Sequence, residues 1–348
     1  MIPSKGRFPR LRAFAALLLA ILALTACDRA PEARQDQAFV LGTLVEITAV
    51  GMEKEAFHAA AGAAFREMRR IHDALGPTDE DSALAAFNRA ERGEWTPLDG
   101  PLSALLPRAL SVQRASANAF NPHLGRLVAL WGFRAPPFPE APPAGEAVDA
   151  LLDQGAGDRA LALRRHDALL ARLTRPGAAL DLGGIAKGYA VDRATAVLAA
   201  HGVENALINA GGDLRALGSH GGRPWRVGIR NPRDRDRVLA VVPLHDGEAI
   251  VTSGDYERFF RHEGRRYHHL LDPATGAPAR AARQATVLGP RATEADAWST
   301  ALFVAGAPGF QRLGKEQPAL VIDTAGKAHA SPAMKARLDW RSEEVAAP

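Results

Sequence analysis

Apolar positions in residues 39–50 alternate with polar ones, a period of two that predicts a strand. Residues 54–75 are alanine-rich with apolar positions three and four apart, which predicts a long helix; 82–88 and 102–117 read as two more. The second half is denser in strand signals, at 169–173, 205–209, 225–229, 238–244, 267–271 and 285–288. Helices over 185–201 and 293–304 fall among them. Consecutive strands joined by tight turns favour an α+β fold over a doubly wound parallel sheet. The expected architecture is mixed, mainly antiparallel sheets flanked by helices, in two intimately packed subdomains. The proline-rich stretch 135–145 is the clearest break in composition and reads as a surface loop between them.

The N-terminus follows another pattern. Lys5, Arg7, Arg10 and Arg12 precede an unbroken apolar run over 13–24. That run has the length of a signal-peptide core and is too short for a permanent span, which needs about 20 residues. It ends in Leu24-Thr25-Ala26-Cys27, which resembles a bacterial lipobox. Cys27 is the only cysteine, so it cannot pair within the chain as exported cysteines usually do. Residues 1–26 are therefore expected to be a lipoprotein signal peptide, and Cys27 the lipidated first residue of the mature protein. A polar tether over 27–38 follows, and one functional domain over 39–345. Asp28 resembles the residue that retains lipoproteins at the inner membrane of some bacteria. The expected location is the periplasmic face of the cytoplasmic membrane.

Removing the leader changes the charge. The chain has 43 Lys and Arg against 39 Asp and Glu, but four of those bases lie in the leader, leaving 39 of each sign. No global basic field points to nucleic acid.

Three segments carry chemistry. In Asp181-Leu182-Gly183-Gly184-Ile185-Ala186-Lys187, a carboxylate and two glycines meet a helix start, where free N–H groups and Lys187 suit an anion. The alternative is a turn in which Asp181 caps the helix. In Thr252-Ser253-Gly254-Asp255-Tyr256 and His268-His269-Leu270-Leu271-Asp272-Pro273-Ala274-Thr275-Gly276, a strong turn follows a histidine pair. A histidine there would point into whatever the turn borders; the alternative is one half-buried core histidine and one solvated. Ser253 lacks a nucleophile-elbow context, which disfavours a Ser-His-Asp hydrolase. On a helix, Asp296 and Thr300 share a face and suit a hard divalent cation. The competing reading makes Thr293 an N-cap and Asp296 an acid of the first turn.

In this order, with Leu41-Gly42-Thr43, Asn121 to Gly125, Leu130-Trp131-Gly132-Phe133 and Asn209-Ala210-Gly211-Gly212-Asp213, these segments resemble the ApbE family, the FAD:protein FMN transferases. The resemblance implies that FAD is the substrate and Mg²⁺ the cofactor. FMN would pass to a Ser or Thr hydroxyl of an acceptor, the flavoprotein subunit of a membrane electron-transfer complex, with release of AMP. It places the metal on the Gly184 carbonyl, Asp296 and Thr300, with Ser299 alongside. It places the flavin nucleotide against Leu41, Thr78, Ala119, Phe120, Asn121, Asp181, Lys187, His269 and Leu271. His269 is the first candidate for general base, with Asp255 and Asp272 as alternatives or orienting groups; a reference pKa of about 6.5 suits that role. Relatives often carry an aromatic residue at the position of Thr78 and an Asp at that of Asn121. FAD hydrolysis to FMN and AMP is the alternative activity; a non-catalytic flavin-binding lipoprotein is the further one.

Overall fold

The computed structural model describes residues 32–341 apart from 77, 78, 166, 235 and 315; Cys27 and Thr78 lie outside the described residues. The chain opens with β1 (Ala33–Val40), β2 (Thr43–Val50), α1 (Lys54–Leu75), α2 (Ala83–Arg89), β3 (Thr96–Leu98), α3 (Gly100–Ala115), α4 (Gly125–Leu130) and α5 (Gly145–Asp153). It continues with β4 (Leu161–Arg165), β5 (Leu169–Leu173), α6 (Gly183–Ala200), β6 (Ala206–Ala210), β7 (Asp213–Leu217), β8 (Trp225–Arg230), β9 (Val238–Leu244) and β10 (Ala249–Gly254). Then come β11 (Phe259–His262), β12 (Arg265–His268), β13 (Ala282–Gly289), α7 (Ala292–Ala305), β14 (Ala319–Asp323) and β15 (Ala328–Ala330).

The centre is an eight-stranded sheet in the order β1-β2-β6-β7-β10-β13-β14-β15, with every neighbouring pair antiparallel. Successive side chains of a strand point to opposite faces, and here both faces are covered. Val251, Val287 and Val321 enter one core with α1, α3, α6 and α7. Their neighbours Ile250, Leu288 and Leu320 enter a second core roofed by β8 and β9. The central strand β13 is therefore buried almost throughout, which is why its sequence does not alternate. A third cluster joins Leu127, Trp131 and Phe133 to Phe260 and Leu271. Phe133 and Phe138 face each other there, with ring centroids 6.1 Å apart. The proline-rich loop packs on this cluster.

The α+β reading agrees with the structure, and α1 covers the residues expected. Two local readings change. Residues expected in the polar tether belong to β1, all eight of whose residues pair with β2. Arg34, Gln35, Asp36 and Gln37 hid that strand, because an edge strand is held by backbone hydrogen bonds and needs little apolar content. Thr293 is not an N-cap. Asp192 of α6 caps α7 instead, accepting from Ala292 N (2.9 Å), Thr293 N (3.0 Å) and Thr293 Oγ1 (2.5 Å).

Candidate active site

The site forms where α6 and α7 cross beneath the ends of β7 and β10. Both helices bury most of their circumference, so neither shows the single apolar stripe of a surface helix. Gly188 permits the crossing. A Cβ there would stand 2.2 Å from the Ala292 carbonyl oxygen and 2.8 Å from the Asp296 Cβ. The Gly188 N–H donates to Asp296 Oδ2 at 3.0 Å, which holds that carboxylate against the first turns of α6.

Oxygens gather around Asp296. Ser299 Oγ donates to the Asp296 carbonyl (2.8 Å), and Ser253 Oγ lies 2.7 Å from Ser299 Oγ and 3.4 Å from Thr300 Oγ1. The Ser299 proton is committed to that carbonyl, so Ser253 donates to Ser299. Thr300 Oγ1 and the Phe120 ring close over Gly184, where a Cβ would meet them at 3.1 and 3.3 Å. Asp296, Ser299, Thr300, Gly184 and Phe120 are thus brought together as the sequence predicted. Ser253 joins them through hydroxyls rather than through a histidine.

Lys187 supplies the positive charge. Its Nζ is 2.7 Å from Asp213 Oδ1 and 3.8 Å from Asp296 Oδ1. Burial works to lower the Lys187 pKa, but the two carboxylates outweigh it and raise the value. Asp213 is fully buried. Burial and then the neighbouring Asp296 push its pKa well up, against the pull of Lys187. Its Oδ2 has no hydrogen-bond donor. Two carboxylates facing one lysine leave an excess of buried oxygen, which a hard cation relieves. Among the described residues, no three His, Cys, Asp or Glu side chains group as a metal cluster. A metal here therefore depends on hydroxyl and carbonyl oxygens beside the carboxylates, a donor set that fits Mg²⁺ keeping some of its waters.

The histidine pair divides between core and site, and neither residue is exposed. His268 is buried beside Phe303, and its Nε2 donates to the Ala279 carbonyl at 3.0 Å. His269 belongs to the site. Its Nδ1 faces the Arg258 carbonyl at 3.3 Å; a carbonyl only accepts, so Nδ1 carries the proton and Nε2 keeps its lone pair. Burial and the Arg258 charge lower its pKa to about 3. The neutral-range value expected from sequence is thereby corrected: His269 is a weak base, uncharged at pH 7.

Several expected contacts have other duties. Asp181 Oδ1 accepts from Gly183 N at 2.8 Å across the turn that opens α6, so it closes the turn while Leu182 occupies the N-cap position. The Asn121 amide donates to Gly157 O (2.6 Å) and Asn118 Oδ1 (3.1 Å) and accepts from His123 N (2.7 Å), so it builds its own loop. The Leu271 side chain enters the third apolar cluster. Asp272 Oδ1 accepts from Ala274 N at 2.9 Å within the turn, and Asp255 pairs with Arg266 at 2.9 Å. Those engagements leave Asp255 and Asp272 poorly placed as bases. Ala119 is half-buried beside Phe120. Leu41 holds φ 57° and Gly42 φ 71°, the left-handed pair of a tight hairpin. A left-handed leucine costs about 1–2 kcal/mol, which its packing in the main core offsets.

Asp213, Ser253 and Arg258 were not assigned site roles from sequence. Asp213 ends a run of glycines, which was the signal available. Arg258 is one arginine among many, and only the fold brings it to His269.

The chain and its α+β fold have counterparts among known proteins. The model described as the ApbE family matches residues 41–322. The chain is 38% identical over 307 residues to the FAD:protein FMN transferase of Rhodobacter capsulatus, covering 86% of this chain and 57% of that protein. It is 37% identical over 284 residues to the FAD:protein FMN transferase of Treponema pallidum, covering 77% of each. The crystal structure of the ApbE protein of Thermotoga maritima superposes with a TM-score of 0.80 at 33% identity, covering 89% of this chain and all of that one. The chain belongs to the ApbE family of flavin transferases.

Proposed function

We propose that the chain transfers FMN from FAD to a Ser or Thr hydroxyl of an acceptor protein with Mg²⁺, releasing AMP. The observation that carries this reading is the oxygen-lined corner of Asp296, Ser299, Thr300 and Gly184 beside Lys187. Asp296, Thr300 and the Gly184 carbonyl would hold the metal, with Ser299 and Ser253 fixing the hydroxyls. Bound there, Mg²⁺ would supply Lewis-acid stabilisation of charge on the diphosphate oxygens.

The chain's own groups do the rest. Lys187 and the Gly184 N–H at the start of α6 would face the phosphoryl oxygens, and one such preorganised donor is worth about 3–4 kcal/mol. The acceptor hydroxyl attacks the FMN-side phosphorus, the new P–O bond forms as the bond to AMP breaks, and the hydroxyl proton passes to His269 Nε2. Burial is the larger cause of the low His269 pKa; an incoming diphosphate offsets the Arg258 and Lys187 charges that add to it, which makes His269 a better base when substrate is bound. The acceptor is proposed to be the flavoprotein subunit of a membrane electron-transfer complex. Lipidation at Cys27 would hold the enzyme near it and raise its effective concentration. No helix among the described residues is long and apolar enough to cross a membrane.

The test is incubation of the purified chain with FAD and Mg²⁺, with and without an acceptor subunit, following AMP and protein-bound flavin fluorescence. Acceptor-dependent AMP release with flavin on the acceptor supports transfer. AMP release at the same rate without acceptor assigns FAD hydrolysis. Absence of AMP under every condition removes the catalytic reading.

A further inference from the structure

The β11–β12 hairpin carries positive charge that its own packing does not need. Its register sets Arg261 directly opposite Arg266, with Phe259 on the same face of β11. Like charges opposed across a strand pair are destabilising. One of the two is balanced, because Arg266 donates to Asp255 Oδ1 at 2.9 Å. Arg261 is exposed and, among the described residues, forms neither a hydrogen bond nor an ion pair. Glu263 at the turn lies instead 4.0 Å from His262. Nor does the core claim Phe259, which joins none of the three apolar clusters. Its ring serves the guanidiniums, with the Arg266 Cζ 4.4 Å and the Arg261 Cζ 6.0 Å from the ring centroid. Arginine and aromatic side chains are the types enriched where proteins bind one another.

This face is continuous with the site. His269 directly follows β12, and Asp255 stands two residues after Ser253. A polypeptide whose hydroxyl reaches His269 therefore lies beside the hairpin. A lipid at Cys27 would be tied elsewhere. The β1–β2 turn meets this region, since a Cβ on Gly42 would stand 3.0 Å from the guanidinium of Arg258, the neighbour of Phe259. Ala33 is at the other end of the eight-residue β1, roughly 25 Å away at the rise of a strand, and Cys27 precedes Ala33 by six residues. The anchor thus enters at the far end of the strand, and a polypeptide suits the arginine face better than a bilayer does. The unpaired charge sets that polypeptide's chemistry: a carboxylate takes the planar guanidinium fork through two hydrogen bonds.

We propose that Arg261, with Arg266 and Phe259, is the docking surface for an acidic segment of the acceptor protein. This inference rests on the transferase reading above. The test titrates a fluorescein-labelled octaglutamate peptide into the chain from Asp28 onward, which contains every element of the described fold. Phosphatidylglycerol vesicles and FAD are titrated separately. Arg261→Gln is expected to weaken octaglutamate by roughly 10-fold, the usual loss of a charge-assisted hydrogen bond, and to leave FAD affinity unchanged. Arg261→Lys should recover part of the loss, and thermal melts should show both variants folded. Arg164→Gln, which removes an exposed arginine stacked on Trp95 at 4.4 Å, is the control and should leave the peptide's affinity unchanged. In flavin transfer to an acceptor subunit, Arg261→Gln should raise the acceptor KM by a similar factor with kcat unchanged. Unchanged octaglutamate affinity or acceptor KM in Arg261→Gln, or an equal loss in Arg164→Gln, overturns the proposal. Vesicle binding lost as strongly as peptide binding assigns the face to lipid and overturns it too. If the unaltered chain binds octaglutamate through Arg261 but does not bind FAD, the transferase reading fails while the acidic-peptide surface stands. FAD binding without octaglutamate binding overturns the docking surface alone.

Discussion

Gly188→Ala puts the crossing of α6 and α7 to a direct test, because two effects of opposite sign compete. In an unobstructed helix interior the change gains about 1 kcal/mol from helix propensity. Here the new methyl would lie 2.2 Å from the Ala292 carbonyl oxygen, 2.6 Å from its carbon and 2.8 Å from the Asp296 Cβ. Restoring ordinary contact of about 3.5 Å requires the helices to part by about 1 Å. Overpacking of that kind costs about 1–3 kcal/mol. Parting also stretches the 3.0 Å bond from Gly188 N to Asp296, a charged hydrogen bond worth about 1.5–3 kcal/mol. These terms are not independent, and against the propensity gain they leave a net destabilisation of about 2–4 kcal/mol. Urea denaturation followed by circular dichroism measures it. The same shift moves Asp296 relative to Gly184, and a misplacement of about 1 Å costs about 100-fold in rate, read as AMP release from FAD with Mg²⁺. A variant as stable as the parent, or more stable, would refute the reasoning.

Other outcomes follow from single residues. His123 is fully buried with both ring nitrogens unpartnered, and burial lowers its pKa to about 4. The unfolded chain, titrating near 6.5, then binds more protons below that pH. The neutral-His123 contribution is therefore complete above pH 6.5 and is lost as pH falls toward 4, by about 3 kcal/mol in all. His123→Leu should flatten unfolding free energy over this window; curves parallel to the parent's would count against it. His269→Ala should lose transfer by about 100-fold or more while keeping FAD affinity, and full retained activity would remove His269 as the base. Asp296→Ala should weaken Mn²⁺ binding, followed by electron paramagnetic resonance, more than Ser299→Ala does; the reverse order would move the metal elsewhere. Cys27→Ala should shift the enzyme from the membrane to the soluble fraction with its specific activity kept, and unchanged membrane association would discount the lipid anchor.

The fold class and most of the site were legible in the sequence because their causes are local. Apolar spacing of three and four along residues 54–75 gives α1 almost without tertiary help. Asp296 and Thr300 fall on one face of α7 through helix geometry alone, and the glycines before Lys187 open α6 where backbone can approach a ligand. The succession of motifs was enough to reveal the ApbE family.

What escaped the sequence depends on partners far along the chain. β1 is polar and becomes a strand only because β2 pairs with it. The cap of α7 lies about 100 residues away at Asp192, where no local capping rule could find it. Asn121 and Leu271 were expected at the nucleotide and Asp272 among the candidate bases. In the fold the Asn121 amide bonds a loop carbonyl, the Leu271 side chain enters an apolar cluster and Asp272 accepts from its own turn, contacts that only the surroundings set. His269 illustrates the division most directly. Its residue type gave a titrating imidazole, whereas burial beside Arg258 decides that the ring is neutral and which nitrogen keeps the lone pair. Residue type and spacing thus supplied the chemical groups, and long-range packing, by removing water and bringing charges together, set their ionisation and their partners.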